Sequence, residues 1–537
     1  MTTLEVTGGE AVIATLAAHG IDLIFGIPGG HSLPIYDALA QQNRVRHVLG
    51  RHEQGVGFMA DGYARASGRI GVATVTSGPA VVNLGAALGG ATTDTSPMLV
   101  VASTVPSDLI GKQRGPIHDA GETIEVMRPL CRHVARCNSV AEIPTVISDL
   151  IYKLRSGRPG GVYCEIPTDI LSARDVVKLS APRSPQRPSP DSQQVDAAVR
   201  LLAGAQRPIL WAGAGATVSD AQDEIETLAG QLGAIVVTSA LGRGILPADH
   251  PNVMSMDGGL FTEVNALIAE ADVVLAVGTM FKHEDTAAWT TTLGSQLIHI
   301  DIDPEEIGRS YTTEVGIIGD AKTALAAILV QMPERLPASQ DWVVRGKEAE
   351  AQRLDRRRRQ RPDDMRALDI LRNALPRQGI LTCDRCSLGY WAWRCMPAYA
   401  PRTFQYPLGY GALGGALPQA IGAKLAHPDT PVVCVIGDGG FQYTATELIV
   451  AVQEQIPFTI VLCNNESYGA IAAKQDRDYG RRFGDALVNP DFQAFAAAYG
   501  VPAVKADSLD QFEDHLNRAV QSERLSLIEL TLDISDP

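Results

Sequence analysis

The chain has 537 residues, of which 45% are hydrophobic and 20% are charged. This length predicts about three domains, and this composition excludes the disordered and fibrous classes. The formal net charge of −15 repels nucleic acid and anionic lipid, so we expect neither as a partner and expect a small-molecule ligand instead. The N-terminus carries no basic leader, no run of about 18 apolar residues predicts a membrane span, and eight scattered cysteines favour a reducing compartment. We therefore expect a cytoplasmic protein.

Short apolar segments alternate with helical patterns along the whole chain, which predicts βαβ units and parallel sheets. The fold class is therefore α/β, with three doubly wound parallel-sheet domains. A stretch rich in Pro and Ser, residues 180–193, predicts a linker after the first domain. The first and third domains share the order strand, glycine turn, helix, proline, strand, which indicates two variants of one unit. The predicted domains cover residues 1–180, 190–340 and 365–537.

Two short motifs carry no strong functional signal. Cys383 and Cys386 form a CxxC without a second pair at metal-binding spacing, so chance free thiols are favoured over a zinc site. The arginine run RLDRRRRQRPDD, residues 353–364, is short and flanked by acids. It predicts a solvated interdomain segment rather than a nucleic-acid patch.

A lone acid among glycines ends a strand-like segment of the third domain, in VIGDGGFQ at residues 435–442. Ligands of parallel α/β sheets bind at the carboxyl ends of the strands, where Asp438 is expected. Gly437, Gly439 and Gly440 would let backbone N–H groups approach an oxyanion. A divalent cation would reconcile the carboxylate with a phosphate, because hard ions take oxygen ligands from both.

The next apolar segment ends in Asn464 and Asn465, whose amide oxygens would lie beside Asp438 if the two strands are neighbours. The pattern predicts a site for a metal and a diphosphate. Two alternatives stay open: an acid that caps a turn, and a Rossmann-like phosphate loop, for which GDGG lacks the GxGxxG spacing. The TATE segment at 444–447 predicts a capping box for the following helix.

A second candidate acid, Glu53, heads a predicted helix in GRHEQGVGFMADGYAR, residues 50–65. A buried carboxylate there could share a proton with a cofactor ring nitrogen. The alternative is an acid that the helix dipole favours at an N-terminus. The predicted buried face of this helix consists of Val56, Met59, Ala60 and Tyr63.

GDG followed 27 positions later by the second Asn of NN, together with the Glu53 segment, resembles the thiamine diphosphate-dependent enzymes. This spacing of 27 positions separates Asp438 from Asn465. The likeness extends along nearly the whole chain and is nearest to the acetolactate synthase group. Further motifs that carry it are GIPGGHSLPIYDAL (26–39), TSGPAVVNL (76–84), GRPGGVYCEIP (157–167), IHIDIDPEEIG (298–308) and PLGYGALGGALPQAIGAKLAHP (407–428).

The resemblance implies a pyrimidine-binding domain, a central Rossmann-like domain and a diphosphate-binding domain, with thiamine diphosphate and Mg²⁺ held between the subunits of a homodimer or homotetramer. It implies that Glu53 activates the cofactor, that the Gly411 carbonyl accepts from its amino group, and that Leu413 bends it. The implied metal ligands are Asp438, Asn465 and the carbonyl of Ser467. The residues expected to bind the cofactor are Gly411, Leu413, Gly437, Asp438, Gly439, Gly440, Asn465, Ser467, Tyr468 and Gly469.

Several positions depart from the acetolactate synthase pattern. His31 follows PGG and resembles the active-site histidine of benzaldehyde lyase and the PGxH segment of 5-guanidino-2-oxopentanoate decarboxylases. A histidine near pKa 6.5 suits proton transfer, whereas a turn residue with a satisfied hydrogen bond is the alternative. Gly30, His118 and Asp119 are predicted to line the substrate pocket. Ser387 and Leu388 replace a usual Gln-His pair.

The resemblance implies an enzyme that breaks or makes bonds beside the carbonyl of a 2-oxo acid. We expect a decarboxylase or lyase that forms an enamine intermediate and releases an aldehyde. A carboligase that adds an aldehyde or ketone acceptor, like acetolactate synthase or benzaldehyde lyase, is the alternative, and a non-catalytic cofactor-binding subunit is a third. The chain ends in SLIELTLDISDP, so no C-terminal lid is expected, which favours aldehyde release.

Flavin is not expected. The segment LWAGAGATVS at residues 210–219 is a generic strand and glycine turn, which could hold a nucleotide or simply pack.

Overall fold

The computed structural model describes residues 2–254, 262–333, 340–532 and 534. Three six-stranded parallel sheets, each flanked by helices, follow one another along the chain. This architecture confirms the predicted α/β class with its three parallel sheets. The end of the chain, on which the expectation about a lid rests, lies partly outside the described residues.

The first sheet has the strand order β3-β2-β4-β5-β7-β6, and β1 pairs with β8 in a separate antiparallel ribbon. Its strands are β1 (Thr2–Thr7), β2 (Leu23–Gly26), β3 (Arg46–Leu49), β4 (Gly71–Val75), β5 (Met98–Thr104), β6 (His133–Arg136), β7 (Gly161–Pro167) and β8 (Arg174–Leu179). Its helices are α1 (Gly8–Ala18), α2 (Leu33–Ala40), α3 (Glu53–Ser67), α4 (Pro79–Thr93), α5 (Thr123–Met127), α6 (Ile143–Ser156) and α7 (Thr168–Ser172).

The central sheet has the order β11-β10-β9-β12-β13-β14, which is the Rossmann order 3-2-1-4-5-6. Its strands are β9 (Pro208–Ala212), β10 (Ile235–Thr238), β11 (Val253–Met254), β12 (Val273–Val277), β13 (Gln296–Asp301) and β14 (Val315–Ile318). The helices are α8 (Ser192–Gly204), α9 (Ala214–Val218), α10 (Gln222–Leu232), α11 (Thr262–Glu270), α12 (Ala321–Gln331) and α13 (Gln340–Gln360).

The third sheet has the order β16-β15-β17-β18-β20-β19, which repeats the order of the first sheet. Its strands are β15 (Ile380–Cys383), β16 (Phe404–Gln405), β17 (Val432–Gly437), β18 (Thr459–Cys463), β19 (Ala503–Ala506) and β20 (Ser526–Leu530). The helices are α14 (Pro362–Ala374), α15 (Ser387–Cys395), α16 (Ala416–Ala426), α17 (Asp438–Thr444), α18 (Leu448–Gln453), α19 (Gly469–Tyr479), α20 (Phe492–Ala498) and α21 (Leu509–Gln521).

Helices α3 and α16 join the first and third domains at very short range. A Cβ atom on Gly62 would lie 2.3 Å from the Gln419 carbonyl oxygen, and one on Gly422 would lie 2.0 Å from that of Met59. The two helices therefore cross at a point where only glycine fits on either side. The predicted buried face of α3 is confirmed, because Val56, Met59, Ala60 and Tyr63 are all buried.

One local prediction is wrong and another is refined. The arginine run, residues 353–364, lies in α13 and the first turn of α14, between the central and third sheets, and is exposed or partly buried except at Arg353 and Asp364. The TATE segment forms no capping box, because the Thr444 hydroxyl donates to the Gly414 carbonyl and the Glu447 carboxylate accepts from the backbone amides of Arg51 and His52. The Thr444 and Glu447 side chains are therefore hydrogen-bonded to groups that are distant in the sequence.

Two expectations concern the surroundings of the protein. Among the described residues, no helix is both long and apolar enough to cross a membrane. No disulfide joins any of the eight cysteines, all of which lie in described parts of the chain.

Candidate cofactor site

A cavity of about 290 Å³ opens at the carboxyl ends of β15, β17 and β18 in the third domain. These three strands are neighbours in the sheet, so the turns that follow them meet at one edge. Every residue predicted to bind the cofactor lines this cavity. Residues that the sequence did not single out for cofactor binding also line it: Arg385, Cys386, Ser387, Tyr390, Cys463, Ala470 and Ile471.

Asp438 is the first residue of α17 and only 2% exposed. Burial raises the pKa of its carboxyl above the usual value, and hydrogen bonds from the Asn489 amide at 2.8 Å and from backbone amides oppose that rise. Because β17 and β18 pair in parallel, Asn465 and Ser467 reach the same cavity. The neighbour relation on which the predicted metal site depends is therefore present.

The cavity fits a diphosphate and a divalent cation. A Cβ on Gly439 would lie 2.5 Å from the Tyr468 ring, and one on Gly440 would lie 2.5 Å from an Asp384 carboxylate oxygen, so both positions require glycine. One buried carboxylate, an amide oxygen and a carbonyl are hard oxygen donors, which suit Mg²⁺ when phosphate oxygens complete its shell. Across the described part of the chain, no three His, Cys, Asp or Glu side chains cluster to hold a metal by themselves.

Sequence reasoning missed two residues that organise this cavity. Asp384 directly follows β15 and accepts hydrogen bonds from the amides of Gly414 at 2.6 Å and Arg385 at 2.8 Å. Burial raises its pKa to about 6. Its sequence signal was an acid directly after an apolar strand, the same signal that marked Asp438. Asn489, which donates to both Asp438 and Asn464, lies in a loop without any such signal.

Glu53 is the first residue of α3, and its carboxylate accepts a hydrogen bond of 2.9 Å from the Asn83 amide. Within one chain Glu53 is only partly buried, whereas the sequence suggested a buried carboxylate. The reason is that the tightly packed part of α3 begins at Gly55. Among the described residues lining the third-domain cavity, neither Glu53 nor His31 is present.

His31 lies in a group of hydrogen-bonded side chains at the carboxyl edge of the first sheet. Its Nδ1 is 2.6 Å from Ser77 Oγ, and Ser77 Oγ is 3.2 Å from Nδ1 of His118. The two imidazole rings also meet edge to face at 5.6 Å. Burial and the neighbouring His118 lower the pKa of His31.

Asp119 and Gly30, the other two residues predicted to line the substrate pocket, lie near the hydrogen-bonded group but contribute no side-chain hydrogen bond to it. The Asp119 carboxylate accepts from the backbone amides of Gly115 and Gly121 in its own loop, so it shapes that loop. Gly30 begins the short 3₁₀ turn that carries His31, and its Cβ position faces open space. The structure thus brings His31 and His118 together, joined by Ser77, which the sequence had not singled out as a site residue.

A glycine-lined cavity with one buried carboxylate and adjacent oxygen donors, at the carboxyl ends of parallel strands, suits a cofactor that carries a diphosphate. Comparison with known families agrees with a cofactor of this class. The chain matches three models of thiamine pyrophosphate enzymes: the N-terminal TPP binding domain over residues 6–125, the central domain over 195–328 and the C-terminal TPP binding domain over 384–530. The chain belongs to the thiamine pyrophosphate (thiamine diphosphate) enzyme family.

Curated relatives extend over nearly the whole chain. It is 37% identical over 531 residues to the "Probable 2-ketoarginine decarboxylase AruI" of Pseudomonas aeruginosa, which covers 98% of this chain and 94% of that protein. It is 31% identical to the "Probable acetolactate synthase large subunit" of Methanococcus aeolicus, with coverage of 98% and 92%. It is 32% identical to the "Acetolactate synthase large subunit" of Corynebacterium glutamicum, with coverage of 96% and 85%.

Proposed function

We propose that this protein is a thiamine diphosphate- and Mg²⁺-dependent decarboxylase that releases an aldehyde from a 2-oxo acid. The observation that carries the choice of reaction is the hydrogen-bonded His31, Ser77 and His118 group, because aldehyde release requires a proton at the substrate carbon that has lost carbon dioxide. The relative from Pseudomonas aeruginosa, named a probable 2-ketoarginine decarboxylase, supports the same reaction type.

Thiamine diphosphate supplies the electron sink that allows the bond beside a 2-oxo acid carbonyl to break. In this proposal Asp438, Asn465 and the Ser467 carbonyl hold Mg²⁺, and Gly437, Gly439 and Gly440 admit the diphosphate. The remaining cavity residues, Gly411, Leu413, Tyr468 and Gly469, surround the rest of the cofactor. Glu53 shares a proton with its pyrimidine ring, and His31 delivers the proton to the substrate.

A carboligase is the second candidate, because the relatives from Methanococcus aeolicus and Corynebacterium glutamicum are named acetolactate synthases. The two reactions differ only in whether the substrate carbon meets a proton or a second carbonyl. A non-catalytic binding subunit has less support, because Glu53, Asp438 and Asn465 are all present.

The test is product analysis with a panel of 2-oxo acids, including pyruvate and 5-guanidino-2-oxopentanoate, each with and without an aldehyde acceptor. A decarboxylase releases carbon dioxide and the matching aldehyde, and His31→Ala slows aldehyde release while cofactor affinity is unchanged. Acetolactate as the main product from pyruvate, made equally well by His31→Ala, would contradict both the decarboxylase and the role of His31. Absence of any turnover in fully cofactor-loaded protein would favour the binding subunit.

We also propose that the active sites form between two copies of the chain, in a homodimer or homotetramer. In one chain the N-terminal site residues do not line the third-domain cavity among the residues described there. Both regions also expose large apolar side chains that a second copy would cover. These side chains are Leu33, Val82 and Ile117 in the first domain, and Tyr443, Ile471, Phe483 and Val488 in the third.

Mixing two inactive variants tests this arrangement. If sites form between chains, Glu53→Gln and Asp438→Ala subunits, dissociated and reassembled at equal amounts, regain about one quarter of wild-type activity, since half of the dimers are mixed and each holds one intact site. If each chain holds its own complete site, the mixture stays inactive.

Two further parts of the proposal concern location and flavin. A cytoplasmic location is supported by the absence of disulfides among eight cysteines, as a reducing compartment favours. We predict that the purified protein carries no flavin. Flavin absorbance at a stoichiometric level in the purified protein would contradict that prediction.

A further inference from the structure

We propose that His31, Ser77 and His118 share one excess proton, which the Ser77 hydroxyl passes from His118 to His31 when the substrate carbon must be protonated. This inference rests on the proposed decarboxylase function and adds a residue, Ser77, and a source of the proton. Ser77 acts through the two imidazoles and is therefore a positioning and relay residue.

The sheet brings the three residues together from distant parts of the chain. β2, β4 and β5 are adjacent strands, and His31, Ser77 and His118 follow their carboxyl ends in that order. Gly78 makes the close approach possible: its φ is +63°, and a Cβ there would lie 2.6 Å from the His118 carbonyl oxygen. The His118 loop therefore lies directly over the Ser77 turn.

The serine in the middle of the group is buried, and the two rings on either side of it are partly accessible. Ser77 is 1% exposed, so bulk water cannot replace its hydroxyl as the link. His31 and His118 are both partly buried, and His118 lies in a loop whose neighbours are largely exposed. Both short contacts use Nδ1, so each ring keeps its Nε2 for another partner, the substrate for His31 and solvent for His118.

The single Ser77 hydroxyl couples the protonation of the His31 imidazole to that of the His118 imidazole. A serine hydroxyl has one hydrogen to donate, so it can donate to one imidazole only while the other donates to it. Transfer starts with a protonated His118: its Nδ1–H bond breaks as an O–H bond forms at Ser77, and the former hydroxyl hydrogen leaves to form Nδ1–H on His31. His31 then gives its Nε2 proton to the substrate carbon. One solvent proton taken up after product release restores the group.

Electrostatics disfavours a second excess proton in this group. Burial and the positive charge of a protonated His118 both lower the pKa of His31, so a charge on one ring disfavours a charge on the other. The nearby Asp119 carboxylate is occupied by amides of its own loop. The buried Ser77 hydroxyl is the link through which the proton moves between the two rings.

The first test measures aldehyde release by Ser77→Ala, Ser77→Thr, His118→Gln and the double variant Ser77→Ala/His118→Gln. We expect Ser77→Ala and His118→Gln each to lower kcat about tenfold to a hundredfold with little change in KM. Ser77→Thr keeps a hydroxyl at this position, so its kcat should be close to that of the wild type. The double variant should be no slower than either single one, because the residues act as one unit. Ser103→Ala, which removes a buried hydroxyl on the neighbouring strand β5, serves as the matched control.

The second test needs neither cofactor nor turnover. In cofactor-free protein with ¹⁵N-labelled histidine, Ser77→Ala should shift the Nδ1 signals of both His31 and His118, and His118→Gln should raise the titration midpoint of His31. Unchanged signals in Ser77→Ala, or additive kinetic losses in the double variant, would overturn the relay. If the wild type releases no aldehyde from any 2-oxo acid, the proposed function fails, and the nuclear magnetic resonance titration still decides whether the rings are coupled through Ser77.

Discussion

At the scale of single residues, the third-domain cavity holds a carboxylate where a phosphate is expected. Asp438 is almost fully buried and burial raises its pKa, so the charged form is costly there without a cation. Its partner Asn489 supplies a neutral amide, which orients the carboxylate without neutralising it. This arrangement supports the proposal that Mg²⁺ is bound between Asp438 and the diphosphate.

Glu53→Gln is the prediction that belongs to this scale. The amide keeps the size of the side chain but cannot exchange a proton with the cofactor. We expect turnover to fall by at least about a hundredfold, the usual scale for one acid–base group, with thiamine diphosphate binding retained. Steady-state kinetics together with calorimetric measurement of cofactor affinity checks this, and near-wild-type turnover would contradict the role of Glu53.

At the scale of elements, the contact between α3 and α16 fixes how the first and third domains meet. Gly422→Ala places a Cβ 2.0 Å from the Met59 carbonyl oxygen, so the backbones must separate. We expect a loss in the free energy of unfolding of about 1–3 kcal/mol, as for other overpacked sites. Denaturant unfolding measures it.

Gly230→Ala is the matched control for that substitution. Gly230 lies in α10 with open space around its Cβ position, so alanine should be neutral or stabilise by up to about 1 kcal/mol. Equal stability of the two variants would mean that the crossing is looser than the structure shows.

Glu447 links the same two domains and should make stability depend on pH. Burial raises the pKa of its carboxyl to about 7, above the value of about 4.3 in an unfolded chain. The folded state therefore binds more protons between these values, and the free energy of unfolding falls as pH rises from about 5 to 8.

Glu447→Gln removes this titration while its amide oxygen can still accept from the Arg51 and His52 amides. We expect the loss of stability between pH 5 and pH 8 to be smaller in the variant by roughly 1–3 kcal/mol. Thermal unfolding across this range measures the difference, and an unchanged pH profile would show that Glu447 is charged in both states.

At the scale of the whole molecule, a buried ion network ties all three domains together at Asp94. Its carboxylate pairs with Arg65 at 3.1 Å in its own domain and with Lys282 at 2.6 Å in the central domain. It also accepts from the Gly409 amide of the third domain at 2.9 Å. These cations hold the pKa of Asp94 below its usual value despite burial.

Asp94→Asn should therefore destabilise the assembled domains strongly, by roughly 3–5 kcal/mol, because the largely buried Lys282 ammonium loses its partner and Arg65 keeps only its ion pair with Asp61. The folded pKa is lowered, so the wild-type stabilisation is present above pH 4 and is lost as pH falls through the folded pKa. Asp22→Asn, which removes an exposed pair with Arg69, is the control and should cost at most about 1 kcal/mol. Similar losses in the two variants would contradict the network.

Prediction from sequence succeeded for residues whose position follows from the strand and turn in which they lie. The apolar runs, the glycine turns and the acid after β17 are local signals, so the α/β class and the residues that line the cavity could be inferred. Asp384 carried the same local signal and was overlooked. Asn489 and Ser77 could not be assigned from local pattern, because their nearest partners in these networks lie 25 and 41 positions away.

The sequence by itself determined the class of fold, the family and the edge of the third sheet where the cofactor is expected, because strand periodicity and turn chemistry are written within a few consecutive residues. Only the tertiary structure decided which distant groups meet: the side chains of His31, Ser77 and His118 at one sheet edge, and the Glu447 carboxylate with the two backbone amides just before α3. It also showed that the solvated segment with the arginine run is helical and belongs largely to α13, with only Arg353 and Asp364 of this segment buried. The order of the strands and the crossing of the helices determine which side chains come into contact. Packing between whole elements decides both, so no short sequence pattern encodes them.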